Sequence, residues 1–356
     1  MFDFVVHPNV CSTSAQSNLR SILEDMWIKH LPRGRGTIFI VSGFANFNGG
    51  ARFYKTLKEH TENGGQVIAI LGGSTSQRLS TKQVVEALLE CGARVILINR
   101  KRLLHAKCYG YLTETGEQAA VIGSGNFTGP GLSQNIEASV YLKPHLISQS
   151  QFNWGSFIDG LLQQNWQYHE CTLSSSNPCW SLLYDERPRH VPIDESDAET
   201  LIVRLVNTDT NRILANRGER AAVGSQYFWL SKDCFDFFPP LTIRNTRGWK
   251  GTLSTMIQMN YIDLDIIKEE RVTFEAENNL DFRLGTGAYR CTKIAAPGDL
   301  ACVTRVSDDS YEIRIISQTR SPLHHQKLDS YAVTFVGNRG KRYGYIDNND
   351  FYRIIS

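Results

Sequence analysis

No Cys-x-x-Cys pair occurs in this chain of 356 residues, although it holds eight cysteines. Cys11, Cys91, Cys108, Cys171, Cys179, Cys234, Cys291 and Cys302 are scattered, which argues against both a zinc site and a disulfide framework. A reducing, cytoplasmic setting follows as the expectation. Nor is there an apolar run near the roughly eighteen residues a membrane span needs. The opening Met1-Phe2-Asp3-Phe4 lacks the basic region and small-residue cleavage site of a signal peptide. Excess charge is missing too: 38 Lys and Arg stand against 36 Asp and Glu, a net of +2. Contact with a polyanion must therefore come from local clusters.

Two halves with different periodicities fill the chain. In the first, Leu19, Ile22, Leu23, Met26 and Trp27 recur at helical spacing. Short β-branched runs follow at Thr37–Val41, Val67–Leu71 and Val95–Ile98, with helical stretches from about 52 to 62 and from about 80 to 89 between them. Ser80-Thr81-Lys82-Gln83 reads as a capping box. This pattern predicts an α/β domain over 1–171 with a mostly parallel sheet. From 172 to 192 turn formers dominate (Ser174-Ser175-Ser176-Asn177-Pro178, Arg187-Pro188-Arg189), which predicts a linker, although Trp180, Leu182, Leu183 and Tyr184 suggest that part of it docks. Over 193–356 the runs Leu201–Val203, Tyr227–Leu230, Arg271–Phe274, Tyr311–Ile316 and Tyr331–Phe335 predict an all-β barrel or sandwich.

Chemistry concentrates in two segments. In Leu103-Leu104-His105-Ala106-Lys107-Cys108-Tyr109, a strand would put His105 and Lys107 on one face. In Val121-Ile122-Gly123-Ser124-Gly125-Asn126-Phe127, a strand ends in a small-residue turn able to approach an anion closely. Cleaving a phosphodiester requires a nucleophile, donors for the phosphoryl oxygens and an acid for the leaving oxygen. An imidazole can attack phosphorus, Lys107 can neutralise charge, and Ser124 and Asn126 can donate. Glu137, eleven residues past Asn126, could fix the tautomer of a histidine. Either motif alone is commonly incidental; together, both flanked by apolar strand residues, they point to phosphoryl chemistry.

His-x-Lys followed by Gly-Ser-x-Asn resembles the phospholipase D superfamily. The likeness narrows to metal-independent type IIS restriction endonucleases of the BfiI and BmrI type. It is carried by Ile68–Leu79 (IAILGGSTSQRL), Asn126–Ala138 (NFTGPGLSQNIEA), Tyr227–Asn245 (YFWLSKDCFDFFPPLTIRN) and Gly337–Gly344 (GNRGKRYG). It runs from His7-Pro8-Asn9-Val10 almost to the C-terminus. The superfamily places an aspartate five residues after the lysine, where this chain has Leu112, and the resemblance shifts the acidic role to Glu137. It implies a phospholipase D-like nuclease domain, a covalent phosphohistidine on His105, and neither metal nor cofactor. It further implies a target, ACTGGG in this family, cut outside its own bounds.

One histidine needs a second acid across phosphorus. His325-Gln326-Lys327 repeats the motif, but no Gly-Ser-x-Asn follows and its flanks read as turns, so it is discounted. A homodimer with two copies of His105 in one composite site is expected instead. The resemblance also implies a B3-like pseudobarrel over 193–356 that binds double-stranded DNA. Three clusters are candidates there: Asn211-Arg212 with Arg217 to Arg220, Arg244 to Lys250, and Arg339-Gly340-Lys341-Arg342. Each alone is more often a solvated loop, and the resemblance is what turns the reading toward DNA. The expected contacts are Arg212, Trp229, Asn245, Arg247, Lys250 and Lys341.

Rival classes fare worse. A metal-dependent restriction nuclease needs Pro-Asp and Asp/Glu-x-Lys, and neither occurs. A lipid phosphodiesterase or non-specific nuclease leaves the second half without a role. A decayed, non-catalytic binder would not keep His105, Lys107, Ser124, Asn126 and Glu137 together.

Overall fold

The chain divides into two units, Met1–Glu186 and Arg187–Ser356, in a computed structural model. Residues 3–7, 18–100, 103–163, 167–193, 198–218, 226–247, 250–275, 281–336 and 341–356 are described.

The apolar runs of the first unit form the centre of an eight-stranded sheet. Its strands are β1 (Asp3–His7), β2 (Thr37–Ser42), β3 (Gln66–Gly72), β4 (Arg94–Ile98), β5 (Lys107–Leu112), β6 (Gln118–Gly123), β7 (Glu137–Leu142) and β8 (Tyr168–Glu170). They lie in the order β1-β7-β6-β5-β2-β3-β4-β8. The expectation of a mostly parallel sheet is corrected: only β2–β3 and β3–β4 run parallel, and the other five pairings are antiparallel. The reason is connection length. Helices Tyr54–Glu62 and Lys82–Glu90 provide the crossovers that parallel neighbours need, whereas β5 and β6 are joined by residues 113–117 alone, enough only for a hairpin.

Phe39 of β2 stacks on Trp154 at 4.5 Å between ring centroids, and the Trp154 indole nitrogen donates to Ala119 O at 2.9 Å. On helix Lys82–Glu90 the cap is Thr81, whose hydroxyl accepts from Val84 N at 3.1 Å. The predicted capping box is therefore one residue out of register, and a valine at the third helical position cannot close it. Gln83 instead donates to Asp185 Oδ1 at 2.8 Å and accepts from Glu186 N at 3.2 Å.

That contact belongs to a larger docking. Of the stretch expected to be linker, residues 172–186 belong to the first unit and 187–192 to the second. Cys179 and Leu183 are buried, Lys82 N donates to Tyr184 O at 2.8 Å, and the Arg78 guanidinium sits 4.5 Å above the Tyr184 ring. Glu186 ends the segment as a buried carboxyl, its Oε1 accepting from the Thr81 hydroxyl at 2.6 Å and from Phe47 N at 2.9 Å. The docking suggested by Trp180, Leu182, Leu183 and Tyr184 is thus present, with Leu183 buried and Tyr184 beneath Arg78.

The second unit is one ten-stranded sheet. Its strands are β9 (Glu199–Arg204), β10 (Tyr227–Leu230), β11 (Ile243–Arg247), β12 (Lys250–Tyr261), β13 (Ile266–Glu275), β14 (Asp281–Gly285), β15 (Leu300–Arg305), β16 (Ser310–Ile316), β17 (Thr334–Val336) and β18 (Lys341–Asp347). They run β10-β14-β13-β12-β16-β15-β9-β18-β17, with β11 on β12. All-β is corrected to sheet-rich: helices Asn207–Leu214, Pro322–Asp329 and Asn348–Ile355 are also present. Pro322, in a flank read as a turn, stands at a helix start, where its fixed φ and missing N–H cost little. The strand expected over Tyr331–Phe335 shrinks to β17, because Tyr331 and Ala332 close the end of that helix through bonds to Leu328 O and Asp329 O. Ile202, Leu300, Cys302, Leu328 and Phe351 share the core between the sheet and its last two helices. Among the described residues no helix is long and apolar enough to cross a membrane.

Burial pushes the Glu186 carboxyl up to about 7, helped by the nearby Asp185 charge and opposed by its two donors. A carboxyl raised above its free-chain value, about 4.3, stabilises the docked state fully below that pH and loses the contribution as pH rises through 7. Hydrogen exchange of residues 172–186 should therefore show protection falling between about pH 4.5 and 7, beyond the intrinsic exchange trend. Glu186→Gln should flatten that dependence; an unchanged slope would place its origin elsewhere.

Candidate active site and nucleic-acid interface

Register brings four chain segments to one edge of the first sheet. Ser42, the last residue of β2, pairs with Lys107, the first of β5. Next along, Cys108 pairs with Ile122 and Gly123 with Ser139, so the end of β6 and the start of β7 reach the same edge. Glu137 opens β7.

Strand β5 begins at Lys107, so His105 lies ahead of it. The alternation expected to put both side chains on one face therefore does not govern His105. The histidine is exposed, edge-on to Phe44 at 6.3 Å between rings. Lys107 is buried, and its Nζ donates to His105 O at 3.0 Å. Burial lowers the Lys107 pKa while the Glu137 charge works against that shift.

Ser124 Oγ donates to Glu137 Oε2 and accepts from Ala138 N at 3.1 Å. Asn135 Nδ2 donates to Glu137 Oε1 at 3.2 Å. In this arrangement the carboxylate holds the serine and asparagine side chains, not the ring of His105. Asn126 Oδ1 is buried with no hydrogen-bond partner among the described residues. Gly125 leaves no room for a side chain, since a Cβ there would lie 2.6 Å from Gly131 O and 2.7 Å from Leu19 Cδ2. Leu112 sits at the far end of β5, opposite Thr37 and against the apolar core, remote from this edge in register.

Sequence reasoning missed two residues here. Tyr109 is fully buried and donates to Gly125 O at 2.8 Å, with Ser42 Oγ at 3.4 Å. Ser42 Oγ accepts from Phe127 N at 2.9 Å and donates to Phe44 O at 2.6 Å. Strand alternation from Lys107 could have flagged Tyr109, two positions on. Nothing local flagged Ser42, whose partner is 85 residues away.

His325 lies on helix Pro322–Asp329, buried, with Nε2 2.8 Å from Gly298 O. That is a core histidine holding a turn.

In the second unit the expected contacts separate. Arg212 is half-buried on helix Asn207–Leu214. Trp229 pairs with Arg283 across β10 and β14, and the Arg283 guanidinium lies 5.5 Å from the Trp229 ring and 5.4 Å from Tyr227. Arg283 also donates to Glu275 Oε2 at 2.6 Å. Asn245 is exposed on β11, its side-chain oxygen accepting from Arg271 Nη1 at 2.7 Å in the orientation that satisfies both amide atoms. Arg247 and Lys250 pair at the turn between β11 and β12. Their side chains, together with Glu219, Arg220, Gly248, Trp249, Arg339 and Gly340, lie outside the described residues, as do Pro8, Asn9, Val10 and Cys11 in the first unit.

Lys341 is corrected. Its side chain is 4% exposed, and Nζ lies 2.8 Å from both oxygens of Asp209, whose side chain is fully buried. Nζ also donates to Trp229 O. Asp209 in turn accepts from Trp229 N at 3.1 Å and Val206 N at 2.9 Å. A lysine committed to a buried carboxylate is not presented to a phosphate. The local sequence, with arginines on both sides, hid a partner 132 residues away.

The family model described as the metal-independent restriction enzyme BfiI DNA binding domain matches residues 193–356. No curated protein sequence matches the chain. Among solved structures, the phospholipase D family member Nuc from Salmonella typhimurium is 14% identical, covering 48% of this chain and 99% of its own, with a TM-score of 0.31. NucT from Helicobacter pylori is 14% identical over 46% of this chain and 96% of its own, at 0.31. The N-terminal domain of Helicobacter pylori LlaJI.R1 is 15% identical over 42% and 97%, at 0.26.

Removing one partner of a buried ion pair strands the other, at a cost of about 3–5 kcal/mol. Lys341→Met should lower the stability of the second unit by about that much in chemical denaturation. A loss below about 1 kcal/mol would assign the pair to the solvated class instead.

Proposed function

We propose, from the match of residues 193–356 to the model of the BfiI DNA binding domain, that the chain is a metal-independent, sequence-specific DNA endonuclease whose first unit is a phospholipase D-like phosphodiesterase. The observation that carries this reading is the edge at which buried Lys107, half-buried Glu137 and exposed Ser124 converge beside exposed His105, in a chain whose residues 193–356 match the model of such a domain. The second unit would act as a B3-like pseudobarrel, reading an asymmetric site of the ACTGGG kind while cleavage falls outside it. Arg212, Trp229, Asn245, Arg247 and Lys250 remain its proposed contacts. The target and the type IIS geometry rest on resemblance to the family.

The chemistry follows from the groups. A neutral His105 nitrogen attacks phosphorus, forming a P–N bond as the P–O bond to one deoxyribose breaks. The leaving oxygen takes its proton from His105 of a second copy, so the active form is a homodimer with a composite site. Water then attacks phosphorus, the P–N bond breaks, and the second histidine, now neutral, accepts the water proton. Lys107 is suited to hold the non-bridging oxygens, because an ammonium already withdrawn from water attracts an anion more strongly than a solvated one. Asn126 supplies a hydrogen bond through its side-chain amide, and Ser124 supplies another when its hydroxyl, which donates to Glu137 Oε2 with no substrate bound, turns to the phosphate.

Purified protein should cut duplex DNA at discrete positions in excess EDTA, and loss of all cutting under chelation would sink the metal-free step. His105→Ala should abolish cleavage while duplex binding in a mobility-shift assay stays within about twofold, since the second unit supplies the affinity. Cutting retained by that variant would move the nucleophile elsewhere.

A further inference from the structure

Ser124 and Asn126 sit in a short turn, and a turn bearing two phosphate ligands must be held rigidly if they are to meet a phosphate without reorganising. Two buried hydroxyls grip this turn from beneath, on either side of Asn126. Tyr109 donates to Gly125 O, the carbonyl just before Asn126, at 2.8 Å. Ser42 accepts from Phe127 N, the amide just after it, at 2.9 Å. The hydroxyls lie 3.4 Å apart, and Ser42 Oγ donates to Phe44 O at 2.6 Å. We infer that Tyr109 and Ser42 are positioning residues of the proposed phosphodiesterase, fixing the backbone on both sides of Asn126 so that its side chain meets the scissile phosphate.

Three further observations support this inference, which rests on the functional reading above. Tyr109 and Ser42 are both fully buried and reach the turn from β5 and β2, the strands whose register sets Ser42 against Lys107. Lys107 and the grip on Asn126 thus share one rigid pair of strands. Burial raises the Tyr109 phenol well above its usual range, so it remains a donor at any working pH. And Asn126 Oδ1 is buried and unpartnered among the described residues, so the asparagine's own side chain contributes nothing through that atom to holding its place. The main chain must do so.

A double-substitution cycle on the full-length protein separates positioning from general stability. Tyr109→Phe removes only the hydroxyl. Single-turnover cleavage should slow by about tenfold, the worth of one well-made hydrogen bond, while the dissociation constant for target duplex changes less than about twofold. In an Asn126→Ala background the same change should slow cleavage by no more than about twofold, because the group being positioned is gone. Ser42→Ala should show the same pattern as Tyr109→Phe, a loss with Asn126 present and little loss in Asn126→Ala, and serves if Tyr109→Phe lowers the yield of folded protein. Equal losses with and without Asn126, or no loss at all, would overturn the inference while leaving the nuclease reading intact. Absence of cleavage by the unaltered protein would remove that reading, and the inference with it.

Discussion

Ser42 and Lys107 face one another across β2 and β5, and the candidate site depends on that pairing. Strand side chains alternate between faces, so a slip of one residue would exchange the buried lysine for its neighbour and carry Tyr109 away from the turn it grips. The register is fixed by the fully buried Ile38, Ile40 and Val41 of β2, which leave little freedom for the two strands to slide. A lysine held out of water at a sheet edge is costly unless something anionic arrives. Here a main-chain carbonyl and the distant influence of Glu137 hold it meanwhile.

The second unit solves a related problem differently. Its buried cation, Lys341, is matched at once by Asp209, and the pair joins helix Asn207–Leu214, β10 and β18. Arg212 and Trp229 ride on two of those three elements. An ion pair sealed in a core contributes little net stability, but its directional bonds fix the relative placement of what it joins. A residue expected to touch DNA thus has its clearest structural role in organising residues that are proposed to.

Along the chain, residues 172–186 show how a few anchors outweigh a turn-former composition. Serines, an asparagine and a proline gave the stretch the appearance of a tether. A handful of side chains (Cys179, Leu183, Tyr184 and Glu186) decide its placement instead. A segment needs only a few buried anchors and satisfied main-chain bonds to lie flat on a domain, and local composition does not count them.

What could be read directly from the residues was local. The β-branched runs became strands near their expected limits, and the paired motifs at His105-x-Lys107 and Gly123–Asn126 do lie at one sheet edge. Periodicity of two and a small-residue turn depend on neighbours within a few positions, so they survive in the sequence. The tertiary structure alone decided which strands run antiparallel, that His105 precedes its strand, that Glu137 turns to Ser124, and that Lys341 is buried. It also revealed Ser42 and Tyr109 beneath the turn. Each of these outcomes depends on a partner made adjacent only by folding, from Glu137, 13 residues beyond Ser124, to Lys341, 132 beyond Asp209. Burial and charge pairing are properties of the space around a side chain, and that space is assembled from segments the local sequence cannot see.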